Sequence, residues 1–234
     1  MSEPENKRTL SHNNKLNGLR AAVLGANDGV VSTAGLIFGV AGATNNKGAI
    51  FTAGLAGLIA GAISMALGEY VSVSTQRDVE RAFIKREKAL LKADPAGQLQ
   101  DLARYYEQKG VSPQTARQFA KELSAVDPIR AHVETELKLD EDDLTNPVTA
   151  GMASFFSFGF GAAVPLLAAV LSPDETRIPI TLVAVVIGLS LTGYYGAVYG
   201  GANKRAAVVR VLVGGALAMA ITYAVGYAFG AAIS

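Results

Sequence analysis

Residues 49–74 read AIFTAGLAGLIAGAISMALGEYVSVS, and this stretch carries a single charged side chain, Glu69. A hydrocarbon core roughly 30 Å thick is crossed by about 20 mostly apolar residues in an α-helix, a conformation that satisfies its own backbone polar groups. The stretch is long enough to cross. Four more meet the same requirement, near 19–43, 148–171, 178–199 and 206–233, so the expected fold is an all-α membrane protein with five transmembrane helices. Half of the 234 residues are apolar, 18% are charged and 25 are glycine, a balance that suits a bundle in lipid better than a soluble domain.

The charges are segregated. Residues 75–147 hold twelve of the 21 Lys/Arg and fourteen of the 20 Asp/Glu, which marks a helical insert between the second and third spans and divides the chain into 1–18, 19–74, 75–147 and 148–234. Four Lys/Arg lie in the N-terminal tail and the entry to the first span, and Lys204, Arg205 and Arg210 surround the fourth connection, against Lys47 and Arg177 alone on the other side. By the positive-inside rule the N-terminus and the insert face the cytosol and the C-terminus lies opposite. Residues 1–18 are polar, lack the apolar core of a signal peptide and read as a mobile cytosolic tail. The absence of cysteine excludes thiolate metal sites and disulfides, leaving O, N or thioether ligands.

Small residues four apart let helix backbones approach closely in lipid. Gly25/Gly29, Gly35/Gly39, Gly57/Gly61 and Gly196/Gly200 fit that spacing and indicate a compact bundle. The second helix is expected to run on until Asp94-Pro95. Asp94-Pro95, Ser112-Pro113 and Asp127-Pro128 each place an N-cap residue before proline at the first helical position, and Gly110 is a helix stop, so short helices follow each signal. Leu99, Leu102 and Tyr106, then Ala116, Phe119, Ala120 and Leu123, recur at helical spacing and give the helices apolar faces. The acids Asp140 to Asp143 read as a solvated linker.

Chemistry is sought where charge is most costly. Asp28, in LGANDGVVSTAGLIFGV, lies inside the first span, where a charge at the bilayer centre costs on the order of 3 kcal/mol or more and marks a functional site by default. It shares a helical face with Gly25, Gly29, Ser32, Gly35 and Gly39, a face that fits either an ion path or a tight helix contact. The alternative is a structural carboxylate capped by Asn27 or a neighbouring helix. Met65 and Glu69 are one turn apart in the second span. A thioether beside carboxylates makes a borderline-soft site suited to ferrous or manganous ions, although methionine also fills packing gaps and Glu69 also fits an interfacial position. In the insert, Asp78, Glu80, Glu87, Asp101, Glu107, Glu122, His132, Glu134 and Glu136 could supply ligands, or could be a solvated face paired with Arg81, Lys85, Arg86 and Lys88. No nucleotide loop, Ser/His/Asp set or zinc-protease motif is evident, and no nucleic-acid partner is expected.

LGANDGVVSTAGLIFGVAGA, SMALGEYVSVSTQRD and REKALL resemble the vacuolar iron transporter family, which includes the yeast vacuolar iron and manganese carrier and plant nodulin-like transporters; the resemblance spans nearly the whole chain and is that of a bacterial-type member. It implies a homodimer of five-helix subunits that exchanges Fe²⁺ or Mn²⁺ for protons along a path at the dimer interface, with a cytosolic metal-binding domain. It places Asp28 and Met65 on the path and Glu69 at its cytosolic mouth, and it matches Glu87 and Glu136 to metal-binding glutamates. Asp101 replaces a third, His132 aligns with a methionine, Leu90 and Gln98 stand where relatives have glutamates, and Gly57 stands where some carry an intramembrane glutamate. A depleted insert site is therefore expected: Glu87, Asp101, His132 and Glu136. The expected activity is proton-coupled export of Fe²⁺ or Mn²⁺ from the cytosol, with the ion as cargo and no resident cofactor, in the plasma membrane if bacterial or the vacuolar membrane if eukaryotic. A membrane-bound metal-oxidising enzyme would need Glu-x-x-His pairs, which neither His12 nor His132 supplies. A non-transporting interaction protein would have no need of Asp28.

Overall fold

The computed structural model describes residues 3–137 and 146–233, with the side chains of 21–135 and 146–230. Among the described residues eight α-helices follow one another: α1 Glu3–Ala43, α2 Lys47–Ala93, α3 Pro95–Gln108, α4 Pro113–Val126, α5 Pro128–His132, α6 Pro147–Leu171, α7 Arg177–Tyr199 and α8 Lys204–Ile233; one π-helical turn, Val133–Leu137, extends α5. Five are long and apolar enough to cross a membrane, over Ala21–Ala43, Lys47–Ala93, Pro147–Leu171, Arg177–Tyr199 and Lys204–Gly230. The described residues contain no strand. Residues 3–18, expected as a mobile tail, continue α1 as helix, because no proline follows Pro4 and only Gly18 stands between it and the first span, in a run of otherwise helix-compatible residues.

The chain forms two compact units, Met1–Val71 with Pro147–Ser234, and Ser72–Asn146. In the first, α1 is the central helix and packs on α6, α7 and α8. Its Val30, Ala34, Ile37 and Phe38 meet Ile50 of α2, Leu166 and Ala169 of α6, Val185 and Leu189 of α7 and Met219 of α8 in one buried core. The outward faces stay apolar and bare: Val183, Ile187 and Leu191 on α7, and Val209, Val213, Leu217 and Ile221 on α8, are exposed at four-residue spacing, as lipid contact requires.

Glycine decides how closely α1 is gripped. A methyl group on Gly29 would overlap the carbonyl oxygen of Phe158 in α6, and one on Gly161 would overlap that of Ala26 in α1. Further along, Gly226 of α8 lies against the Gly39 carbonyl in the same way. The row through Gly25, Gly29, Gly35 and Gly39 is thus a pair of helix contacts, to α6 and then to α8, rather than an open channel wall. Gly29→Val is expected to force α1 from α6 and cost about 3 kcal/mol or more, read as loss of monodisperse protein in detergent. Gly68→Ala, where a methyl group meets open space, is the control and is expected to stabilise α2 by about 0.5–1 kcal/mol. Equal stability of the two variants would contradict this packing.

In the second unit each proline-led helix starts where its capping residue stands. Asp94 accepts the Gly97 N–H at 2.9 Å, and Asp127 accepts those of Ile129 and Arg130, both at 3.0 Å. Gly110, at φ +94°, occupies the left-handed region after α3 that glycine adopts without strain. Leu102, Ala103, Ala120 and Ala131 make the core, with Leu99, Tyr106 and Leu123 packed against it. Phe119 is largely exposed but meets the Tyr106 ring edge-on at 4.9 Å. The linker acids Asp140 to Asp143 lie outside the described residues.

Candidate functional site

Asp28 sits roughly 10 Å along α1 from Ala21, at 1.5 Å per residue, one position before the glycine that grips α6. Gly29 and Val30, which follow it, are buried and Asn27 before it is half-buried, yet Asp28 itself is exposed on the outside of the single-chain bundle. Ser32, one turn on, donates its hydroxyl to Asp28 Oδ1 at 2.8 Å. Among the described residues Asn27 makes no hydrogen bond to it, so the carboxylate is held by its own helix and not by the cap the sequence suggested.

Phe158 of α6 sets the level of the second helix relative to the first. Its backbone lies against Gly29 of α1 and its ring fills the space left by Gly61 of α2. Met65, one turn beyond Gly61, packs with Ala62, Phe158 and Ala162. Asp28 and Met65 therefore lie at one depth to within about a helical turn. Met65 is half-buried beside that cluster. Glu69 is half-buried one turn further along α2, near the point where Gly151, at the start of α6, lies against Ala66 and Tyr70.

The insert residues part company. Glu87 of α2 and His132 of α5 are buried and face one another, Nδ1 to Oε1 3.4 Å. Asp101 of α3 is exposed and pairs with Arg104 at 3.0 Å; Glu134 pairs with Arg130 at 2.5 Å. Glu80 and Glu122 accept hydrogen bonds from Gln76 and Gln118 at 2.8 and 2.6 Å. Leu90 is exposed and Gln98 half-buried. Glu136 lies in the π-helical turn, its side chain outside the described residues. Among the described residues no three His, Asp or Glu side chains converge as metal ligands.

One residue counted in the sequence only as a charge has a structural place of its own. Arg177, the first residue of α7, is 3% exposed. Its Nε donates to the Ala169 carbonyl near the end of α6 at 3.1 Å, Nη1 to the Asn45 carbonyl between α1 and α2 at 3.4 Å, and Nη2 to Asp174. The available signal was a lone arginine opening an otherwise apolar span.

The fold and the placed carboxylate define a multi-pass helical membrane protein with an ionisable group in its first span. A sequence profile of the VIT family matches residues 19–227. The chain is 43% identical over 211 residues to a vacuolar iron transporter of Acanthamoeba castellanii, covering 89% of this chain and 77% of that protein. It is 36% identical over 222 residues to vacuolar iron transporter homolog 3 of Arabidopsis thaliana, covering 94% and 88%, and 39% identical over 213 residues to homolog 1 of Oryza sativa subsp. japonica, covering 91% and 74%. The chain belongs to the VIT family. These relatives come from an amoeba and two plants, and the expectation of a bacterial-type member is not borne out.

Proposed function

We propose that the chain is a transporter, not an enzyme, and that it moves Fe²⁺ or Mn²⁺ out of the cytosol in exchange for protons. The observation that carries this reading is Asp28: a carboxylate inside a membrane span, held among the described residues by Ser32 and turned outward from the single-chain bundle. Family membership and relatives named vacuolar iron transporters support a metal cargo. An outward-facing charge is costly against lipid, which favours a homodimer in which a second copy covers it and supplies a second Asp28. The ion would pass from the cytosolic insert by Glu69 to Asp28 and Met65 of both subunits. Protonation of the carboxylates on the far side would then release it. Eukaryotic relatives favour the vacuolar membrane, with the N-terminus and the insert in the cytosol. The insert, carrying Glu87, Asp101, His132 and Glu136 as its remaining candidates, would bind metal weakly and serve as an accessory to the membrane route.

The test is metal uptake into proteoliposomes holding the purified full chain, with Fe²⁺, Mn²⁺, Zn²⁺ and Ca²⁺ compared under an imposed pH gradient. Fe²⁺ and Mn²⁺ are expected to enter faster than Ca²⁺ when the lumen is acid. Uptake indifferent to the gradient removes proton coupling, and no uptake of any ion removes the transport reading.

A further inference from the structure

We propose that the α7–α8 turn is a binding surface for anionic phospholipid headgroups. The turn is short and fixed. Gly200 and Ala202 close α7 through hydrogen bonds to the Gly196 and Ala197 carbonyls at 3.0 and 2.9 Å, Gly201 takes φ +65°, and Asn203 accepts the Ala206 N–H at 3.2 Å to start α8. This reversal brings Lys204 Nζ over the Tyr194 ring, 5.3 Å from its centroid. Tyr195 and Tyr199 stack beside it, 6.4 Å apart at 26°, and all three tyrosines are about half exposed.

Among the described residues the cations of the turn have no counterion. No Asp or Glu follows Glu175 in the sequence, and among the described residues no carboxylate pairs with Lys204, Arg205 or Arg210. Lys204 rests on an aromatic face, which holds its position without cancelling its charge. Both flanking helices are membrane spans, so the turn lies at the boundary where tyrosines settle at headgroup depth. Arg210 distinguishes lipid from a water-borne partner. It is exposed but lies about 9 Å along α8 from Lys204 at 1.5 Å per residue, inside the apolar slab. From there its stem reaches up to a phosphate at the slab edge, where a soluble protein has no access.

The inference goes beyond the transport reading and holds whichever leaflet the turn meets. The test uses the full chain in bilayer discs of equal parts phosphatidylcholine and phosphatidylglycerol, with the retained lipids read by native mass spectrometry. Wild-type protein is expected to keep phosphatidylglycerol preferentially, and the preference should weaken as salt rises. Each of K204Q, R205Q and R210Q should cut the preference roughly fivefold and the triple variant roughly a hundredfold, while Lys47→Gln, at the start of α2, leaves it unchanged. An undiminished preference in the triple variant, a preference indifferent to salt, or an equal loss in Lys47→Gln overturns the proposal. If the triple variant does not fold, R210Q and the salt series on wild type decide by the same criteria. A preference that emerges only after Asp140 to Asp143 are replaced by Ser would give the patch to the chain's own acids, and that also overturns it.

Discussion

Asp28→Asn is expected to abolish metal transport without loosening the bundle. Asparagine keeps the shape and still offers Oδ1 to the Ser32 hydroxyl, so the hydrogen bond from Ser32 survives. The close contacts that flank it, Gly25 against Ser157 and Gly29 against the Phe158 backbone, do not involve the carboxylate. Removing a charge from a membrane span takes away a cost on the order of 3 kcal/mol, so thermal stability in detergent should hold or rise. The variant loses both the charge that offsets ion dehydration and the group that accepts a proton. A charged partner contributes about 1.5–3 kcal/mol, so flux in proteoliposomes should fall at least roughly tenfold by this contribution alone. Met65→Leu is the companion. It preserves volume in the Ala62–Phe158–Ala162 cluster and removes the thioether, so it should leave flux but reduce the preference for Fe²⁺ or Mn²⁺ over Ca²⁺. Wild-type flux with unchanged pH dependence in Asp28→Asn would make this carboxylate structural and withdraw the first span as the conduit.

Arg177→Met is expected to do the reverse, lowering stability before it touches transport. The guanidinium ties the end of α6 and the α1–α2 connection to the start of α7. Methionine leaves the Ala169 and Asn45 carbonyls without that donor. Burying an arginine is itself unfavourable, and an apolar replacement recovers part of that, but the buried Ala169 carbonyl left unpaired costs about 1–3 kcal/mol, while Asn45 is exposed and its carbonyl returns to water. Asp174 is 74% exposed and simply returns to water, so it adds little. A net loss of about 1–2 kcal/mol should lower the melting temperature by roughly 2–8 °C in a chain of this size. Arg177→Lys should fall between, because an ammonium keeps the charge without the fork that reaches three acceptors. Melting of Arg177→Met at the wild-type temperature would show that the clamp contributes nothing.

Much of this was legible in the residues because the underlying signals are local. A span is long and apolar or it is not, whatever surrounds it, and all five candidate spans stand where composition placed them. Asp94-Pro95, Ser112-Pro113 and Asp127-Pro128 act on the first turn of their own helices, and each begins one. Asp28 was conspicuous because charge inside an apolar run is rare. The helical state of residues 3–18 was missed because polar composition was read as disorder, when polarity alone does not break a helix.

The sequence by itself determined that this is a five-span helical membrane protein of the VIT family carrying an intramembrane carboxylate, since hydropathy, caps and family motifs are properties of consecutive residues. Only the tertiary structure decided that the glycine row serves α6 and then α8, and that Phe158 sets Asp28 and Met65 at one level. It also turned Asp28 outward beside buried neighbours, faced Glu87 to His132 while Asp101 went to Arg104, and buried Arg177 between two connections. Each of these depends on which helix lies beside which, at what rotation and height. That is settled by close packing between residues far apart in the chain, which periodicity along one helix does not encode.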